Sequence, residues 1–286
     1  MPATEEPGSK SLKRLEHEYS LKGELDPAWA ARPIAITFHW NRPVLVLEDP
    51  GGIPLDELLG QAPDVGSSLR RAISLATVIG HLHRRRLIHK DIKPANVLVN
   101  SATDKTWLMG FGIASRLPRE RQSPDPPEFI AGTLAYMAPE QTGRMNRSTD
   151  SRSDLYSYGV TLYEMLTGLL PFAASDSMEW VHCHVARRPM PPDQRTEGIP
   201  RTVSSIVMKL LSKTAKNAIK QRRALNPTSE DAWETGKRSD ASMRFLSERT
   251  MLRIGSGFLK GCTVATMRLR CYSMPSNASL PAKFPD

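Results

Sequence analysis

Between Leu87 and Asn100 the chain reads LIHKDIKPANVLVN, which sets a carboxylate, an amine and a carboxamide at Asp91, Lys93 and Asn96. Phosphoryl transfer uses such a set. The carboxylate orients a hydroxyl nucleophile and accepts its proton, the ammonium neutralises the moving phosphoryl group, and the carboxamide holds a magnesium ion. A capped turn would use the same residue types, because Asp and Asn are common turn formers. The order and spacing of the downstream residues decide between the two.

The elements that must position this loop are legible on either side of it. Residues 69 to 86 carry apolar side chains at 69, 72, 73, 76, 79 and 82, the period of a long helix with one buried face. Arg84, Arg85 and Arg86 at its end suit the negative pole of the helix dipole. Upstream, SLKRLEHEYSLKGEL (11 to 25) spaces Leu12, Leu15, Tyr19 and Leu25 as an amphipathic helix would, and Asp26-Pro27 stops it. Val44 to Leu47 reads as a buried strand running into Pro50-Gly51-Gly52, and Leu55 to Leu59 as a short helix. Downstream come short strands around Val97 and Trp107, then a Pro-rich loop at SPDPPEF. DLYSYGVTLYEMLTG (154 to 168) is a helix closed by glycine, and Thr202 to Ser212 is a further one.

Taken in order, these signatures resemble a protein kinase domain, whose catalytic loop reads H-R-D-x-K-x-x-N; here Lys90 replaces the arginine. Gly110-Phe111-Gly112 stands in the place of D-F-G. Gly132-Thr133 precedes Ala138-Pro139-Glu140 in the place of A-P-E, and Asp154 with Gly159 matches the start of the family's central helix. The run from Met137 to Gly168 is similar to the kinase-like domains at the front of large bacterial sensor proteins that also carry an ATPase and a histidine-kinase module. The resemblance covers roughly residues 11 to 215 and implies an α+β fold, a mostly helical C-lobe under an incomplete β N-lobe. It implies Asp91 as base with Lys93 and Asn96 assisting, ATP and magnesium as cofactors, and Leu47, Glu48 and Asp49 as the hinge for adenine, with Lys93 and Asn96 at the phosphates. His89, Phe111, Thr133, Glu140 and Asp154 are its structural support, and Lys93 with Thr133 points to Ser/Thr rather than Tyr as acceptor.

Three departures qualify what the resemblance implies. Gly110 offers no carboxylate where the family places its metal-binding aspartate, which leaves Asn96 alone as a weak magnesium ligand. No glycine-rich loop and no Val-Ala-x-Lys strand precede Glu18, so that glutamate is expected to be an exposed surface acid, with Lys10 and Lys13 as solvated helix charges. From Lys216 onward family resemblance and periodicity are both expected to stop, and no arginine stands in the context that would pair with Glu140. Permitted codons for KNAIKQRRALNPTSED, read out of frame, spell a peptide like the missing last helix, so a frameshift near Ala215 is the reading of the tail. A genuine flexible basic tail is its alternative.

Composition agrees with one domain plus extensions: 286 residues, 40% hydrophobic, formal charge +9. Most of that charge lies beyond Lys216, where thirteen Lys and Arg meet six Asp and Glu, so it is a property of the tail and gives no reason to expect nucleic acid as a partner. Cys183, Cys262 and Cys271 form no paired spacing and are read as free thiols. No spanning apolar run and no secretory leader are visible, so a cytoplasmic protein without membrane association is expected. The expected division is 1–47 as N-lobe remnant, 48–215 as C-lobe and 216–286 as a disordered basic tail. Three functions are in view: a phosphotransferase acting on protein hydroxyls, a pseudokinase module that binds a signalling partner through residues 113 to 140, and a truncated product without a stable fold.

Overall fold

The computed structural model describes residues 7–40, 42–59, 64–116, 133–144, 148–213 and 268–272. Most of the tail, and with it the frameshift reading, lies outside the described residues, as do the whole Pro-rich loop, Gly132 and most of the 113–140 segment expected as a contact surface.

Helix α3 (Ser151–Thr167) is the centre of the molecule. Of its residues only Arg152 and Glu164 are not buried, and its buried polar side chains, Asp154 among them, are met by hydrogen bonds inside the core. Asp150 caps its start by accepting from the Arg152 N–H, and Gly168 closes it at φ +70, a left-handed turn that suits glycine. Helix α2 (Val65–Arg84) lies against it, started by the Asp64 carboxylate, which accepts from the N–H groups of Gly66 and Ser67. Two cross-links fix the pair: Tyr158 Oη donates to Ala72 O (3.1 Å) and Ser68 Oγ to Met165 O (3.0 Å). Helices α4 (Ser177–Val185), α5 (Pro192–Arg195) and α6 (Arg201–Leu210) complete the helical layer.

Small sheets frame the loops above α3. Strands β1 (Pro33–His39) and β2 (Arg42–Asp49) form an antiparallel hairpin; β3 (Ile53–Pro54), β5 (Val97–Val99) and β6 (Thr106–Leu108) form a second sheet; β4 (Leu87–Ile88) pairs with β7 (Ser115–Arg116). The stretch expected as a short helix at 55 to 59 is a 3-10 turn at Leu55–Leu58. Helix α1 (Pro7–Ser20) packs beside the first hairpin. Arg84 ends α2, and Arg85 lies 4.0 Å from Asp26 rather than serving the helix end alone.

Two sequence expectations change here. The first concerns the tail: residues 268–272 form β8 (Arg268–Tyr272), antiparallel to β2 with Leu47 opposite Arg270 and Asp49 opposite Arg268. The reason is a backbone one, since β2 gives one edge to β1 and its other edge needs hydrogen-bond partners. The second concerns Glu18, which is 4% exposed instead of a surface acid, while Tyr19 is 38% exposed. The helix turns its carboxylate inward because the main chain near Gly110 supplies donors for it.

Where α3 and α6 cross, Gly159 allows the close approach: a Cβ there would stand 2.7 Å from Leu210 Cβ and 3.3 Å from Leu211 Cδ2. Gly159→Ala should therefore cost roughly 1–3 kcal/mol by overpacking, seen as a lower urea midpoint at unchanged slope. His184 of α4 is buried among Trp180, Phe172 and Tyr156, with Nδ1 2.9 Å from Tyr156 Oη. Burial, helped by the charge of Lys213, pushes its pKa down to about 4 from 6.5. Between those values the unfolded chain binds the proton and the folded chain does not, so stability drains as pH falls from 6.5 toward 4. Melting temperature should drop across that window and drop less in His184→Phe; a flat profile from pH 7 to 5 in the parent chain would contradict this.

Candidate active site

The loop after β4 is pinned from below by one carboxylate. Asp154, fully buried in α3, accepts from His89 N (2.9 Å) and His83 Nε2 (2.8 Å) at Oδ2 and from Lys90 N (2.8 Å) at Oδ1. Burial alone would raise its pKa, but the hydrogen bond and charge of His83, with His89 beside it, hold it below the usual carboxylate value. The two main-chain bonds pull Lys90 to φ +69, a left-handed conformation that a lysine adopts only when its surroundings impose it. Gln141 Nε2 donates to Lys90 O (2.8 Å) from the other side.

His89 is wholly buried and its pKa is lowered by that burial, so the ring is neutral. Nδ1 accepts from Asp91 N (3.3 Å), which leaves Nε2 to donate to Met109 O (3.1 Å). Phe111, equally buried, lies 4.8 Å from the His89 ring and 6.5 Å edge-on from Trp29. Glu140 accepts from Ser153 Oγ (2.6 Å), at the start of α3.

Held in this way, Asp91, Lys93, Asn96 and Thr133 close into a ring. Lys93 Nζ donates to Asp91 Oδ2 (2.8 Å) and to Thr133 Oγ1 (2.6 Å), while Thr133 N donates to Asp91 Oδ1 (3.1 Å). A 3-10 turn at Pro94–Asn96 brings Asn96 back, and its Nδ2 donates to Asp91 O (2.8 Å) and Oδ2 (3.0 Å). The side chains of Asp91 and Lys93 keep 17% and 21% exposure, enough for an incoming group to reach them.

Leu47, Glu48 and Asp49, expected as the hinge, lie at the end of β2, and Leu47 shares a buried cluster with Leu98 and Met109. Leu47 is buried, Glu48 donates its N–H to Arg32 O (2.8 Å) while its carboxylate accepts from Arg32 Nη2 (2.5 Å), and Asp49 Oδ1 accepts from Gly51 N (2.8 Å). With Glu48 turned toward β1, the main-chain groups of Leu47 and Asp49 face the opposite edge, which β8 lines.

Magnesium is the less well provided for. Gly110 faces Asn96 without a side chain, Asp91 has both oxygens engaged, and among the described residues no group of three or more His, Cys, Asp or Glu is placed to hold a metal. One neutral amide oxygen does not match a cation that usually takes one or two carboxylates.

The protein kinase domain model matches residues 41–233. The chain belongs to the protein kinase family. Its match runs past residue 215 into the tail and leaves α1 and β1 outside. This kinase domain is 34% identical over 179 residues to serine/threonine-protein kinase PknB of Mycobacterium tuberculosis (strain ATCC 25618 / H37Rv), covering 61% of the chain and 28% of that protein. It is 41% identical over 135 residues to PknB of Mycobacterium leprae (strain TN), covering 47% and 21%, and 31% identical over 209 residues to serine/threonine-protein kinase pkn2 of Myxococcus xanthus, covering 71% and 25%. The chain thus spans about a quarter of the length of the curated relatives it matches.

Sequence reasoning missed three members of the kinase site: His83 beneath Asp154, Gln141 on Lys90 O, and Glu18 on the Gly110 N–H (3.1 Å). His83 had a signal, being a polar ring next to Leu82 on the buried face of α2; the other two reach main-chain atoms, which no spacing encodes. Because Asp154 answers two peptide N–H groups at once, Asp154→Asn should cost roughly 1.5–3 kcal/mol for each charged bond weakened. Urea unfolding measures the loss, and amide exchange at His89 and Lys90 should quicken more than elsewhere in the core.

Proposed function

We propose that this kinase domain transfers the γ-phosphoryl group of ATP to serine or threonine hydroxyls of proteins, slowly. The supporting observation is the ring of Lys93, Asp91 and Thr133, in which one ammonium touches both the carboxylate and the hydroxyl. In the reaction Asp91 orients the acceptor hydroxyl and takes its proton, the oxygen bonds to the γ-phosphorus, and the bond to the bridging oxygen breaks to release ADP. Lys93 neutralises the phosphoryl group as it moves, and Thr133 keeps both in register. The relatives' names point the same way on the acceptor.

Gly110 sets the pace. Losing one preorganised charge typically costs ~10² to 10³ in rate, which takes a kinase turning over at ~1 to 100 per second to ~10⁻³ to 1 per second. The same glycine favours a second reading, a pseudokinase module that regulates a partner in bacterial signal transduction through residues 113 to 140. In either role the domain works in the cytoplasm on a protein partner, and among the described residues no helix is long and apolar enough to cross a membrane.

A thermal melt separates the readings: ATP should raise the melting temperature of the phosphotransferase and leave that of a pure interaction module unchanged. With labelled ATP and a generic serine-rich protein, Asp91→Asn should lower transfer by at least ~10²-fold, while its melt still responds to ATP. Unchanged turnover in that variant would mean that another group is the base.

A further inference from the structure

The site departs from what its family implies about metal, and the departure is built into the packing. We infer that nucleotide binding here proceeds without a divalent cation, Lys93 being the charge that meets the phosphates. The inference rests on the proposed binding of ATP and goes beyond it in naming what the site does without.

A glycine at position 110 would by itself only remove a ligand. The surroundings of Gly110 show more, because the room for a ligand has gone as well. A Cβ at that position would lie 2.9 Å from Cγ and Oδ1 of Asn96 and 3.0 Å from its Nδ2, and the backbone there sits at φ +81, which strains any residue but glycine. The amide plane of Asn96 therefore fills the space that a carboxylate from position 110 would have to cross.

Asn96 is not free to turn toward a metal instead. Its Nδ2 bonds to Asp91 O and Asp91 Oδ2 hold the amide plane, and presenting Oδ1 elsewhere would break both. Among the described residues, the carboxylates that line the loop are committed. Asp91 accepts from Lys93, Asn96 and Thr133; Asp154 is sealed beneath the loop by His83, His89 and Lys90; Glu18 is buried and accepts from the Gly110 N–H. A hard dication that demands near-octahedral oxygen coordination is thus offered one amide oxygen. The ammonium of Lys93, partly exposed beside Asp91, supplies positive charge to a triphosphate without that geometry.

Titrating the full chain with a fluorescent ribose-substituted ATP analogue, in EDTA and then in millimolar magnesium chloride, tests this directly. The two dissociation constants should agree within about twofold, and tightening of about tenfold or more by magnesium would overturn the inference while leaving nucleotide binding intact. A second readout needs no nucleotide: manganese(II) added to the chain should keep the electron paramagnetic resonance spectrum of the free aqueous ion. A bound population that disappears in Asn96→Ala would overturn the inference. If the analogue binds in neither buffer, the nucleotide-binding reading fails, and the manganese spectrum alone decides the metal question. Gly110→Asp, checked by melting for a folded state, should not acquire magnesium dependence, because Asn96 stands in its way; acquiring it would also refute the inference.

Discussion

A single buried carboxylate, Asp154, is what the geometry above α3 depends on. It takes its position from a helix that has almost no exposed face, so it cannot move without disturbing the whole core. A charge placed there must be met by hydrogen bonds, and it is met by two successive peptide N–H groups and one imidazole. Those peptide groups belong to His89 and Lys90, the residues that open the loop. The desolvation cost of one anion is thereby turned into a constraint on main-chain direction, and the left-handed Lys90 is its visible trace. Everything downstream, from the 3-10 turn that returns Asn96 to the ring around Asp91, inherits that direction.

The helical layer was legible in the sequence because its signals are local. Helix α3 starts three residues before the expected Asp154 and ends at the expected glycine; α2 and α6 lie within a few residues of the periodicity that announced them. The members of the loop were legible for a different reason. Asp91, Lys93 and Asn96 are close in sequence, so their type and spacing are read together, and the later signatures come at family distances. Thr133 joined them only through resemblance, since 40 residues separate it from Lys93.

What stayed hidden involves main-chain atoms and partners distant in sequence. Glu18 was read as a surface acid because its customary lysine was not in view, and a carboxylate without a cation is by default solvated. Peptide N–H groups can satisfy a carboxylate as a cation would, and the one Glu18 meets is 92 positions along the chain. Burial still leaves its mark, since desolvation raises the pKa of Glu18 despite the bonds from Gly110 and Phe111. The strand at 268–272 was hidden for a similar reason: pairing with β2 satisfies backbone groups whatever the side chains are.

Helix α1 touches the Gly110 segment in a particular way. Glu18 meets the Gly110 N–H, the backbone of Arg14 abuts Gly112, and His17 Nε2 meets Ala114 O at 2.6 Å. The first and third of these reach peptide groups, while the second depends on Gly112 having no side chain, because a Cβ there would stand 3.3 Å from Arg14 Cβ and O. The hold by Glu18 is on a main-chain N–H, so glycine at 110, where the family has an acid, keeps that hold while offering no carboxylate. Backbone shape and side-chain charge are thus separable at position 110: the peptide contact stands whether or not a carboxylate accompanies it.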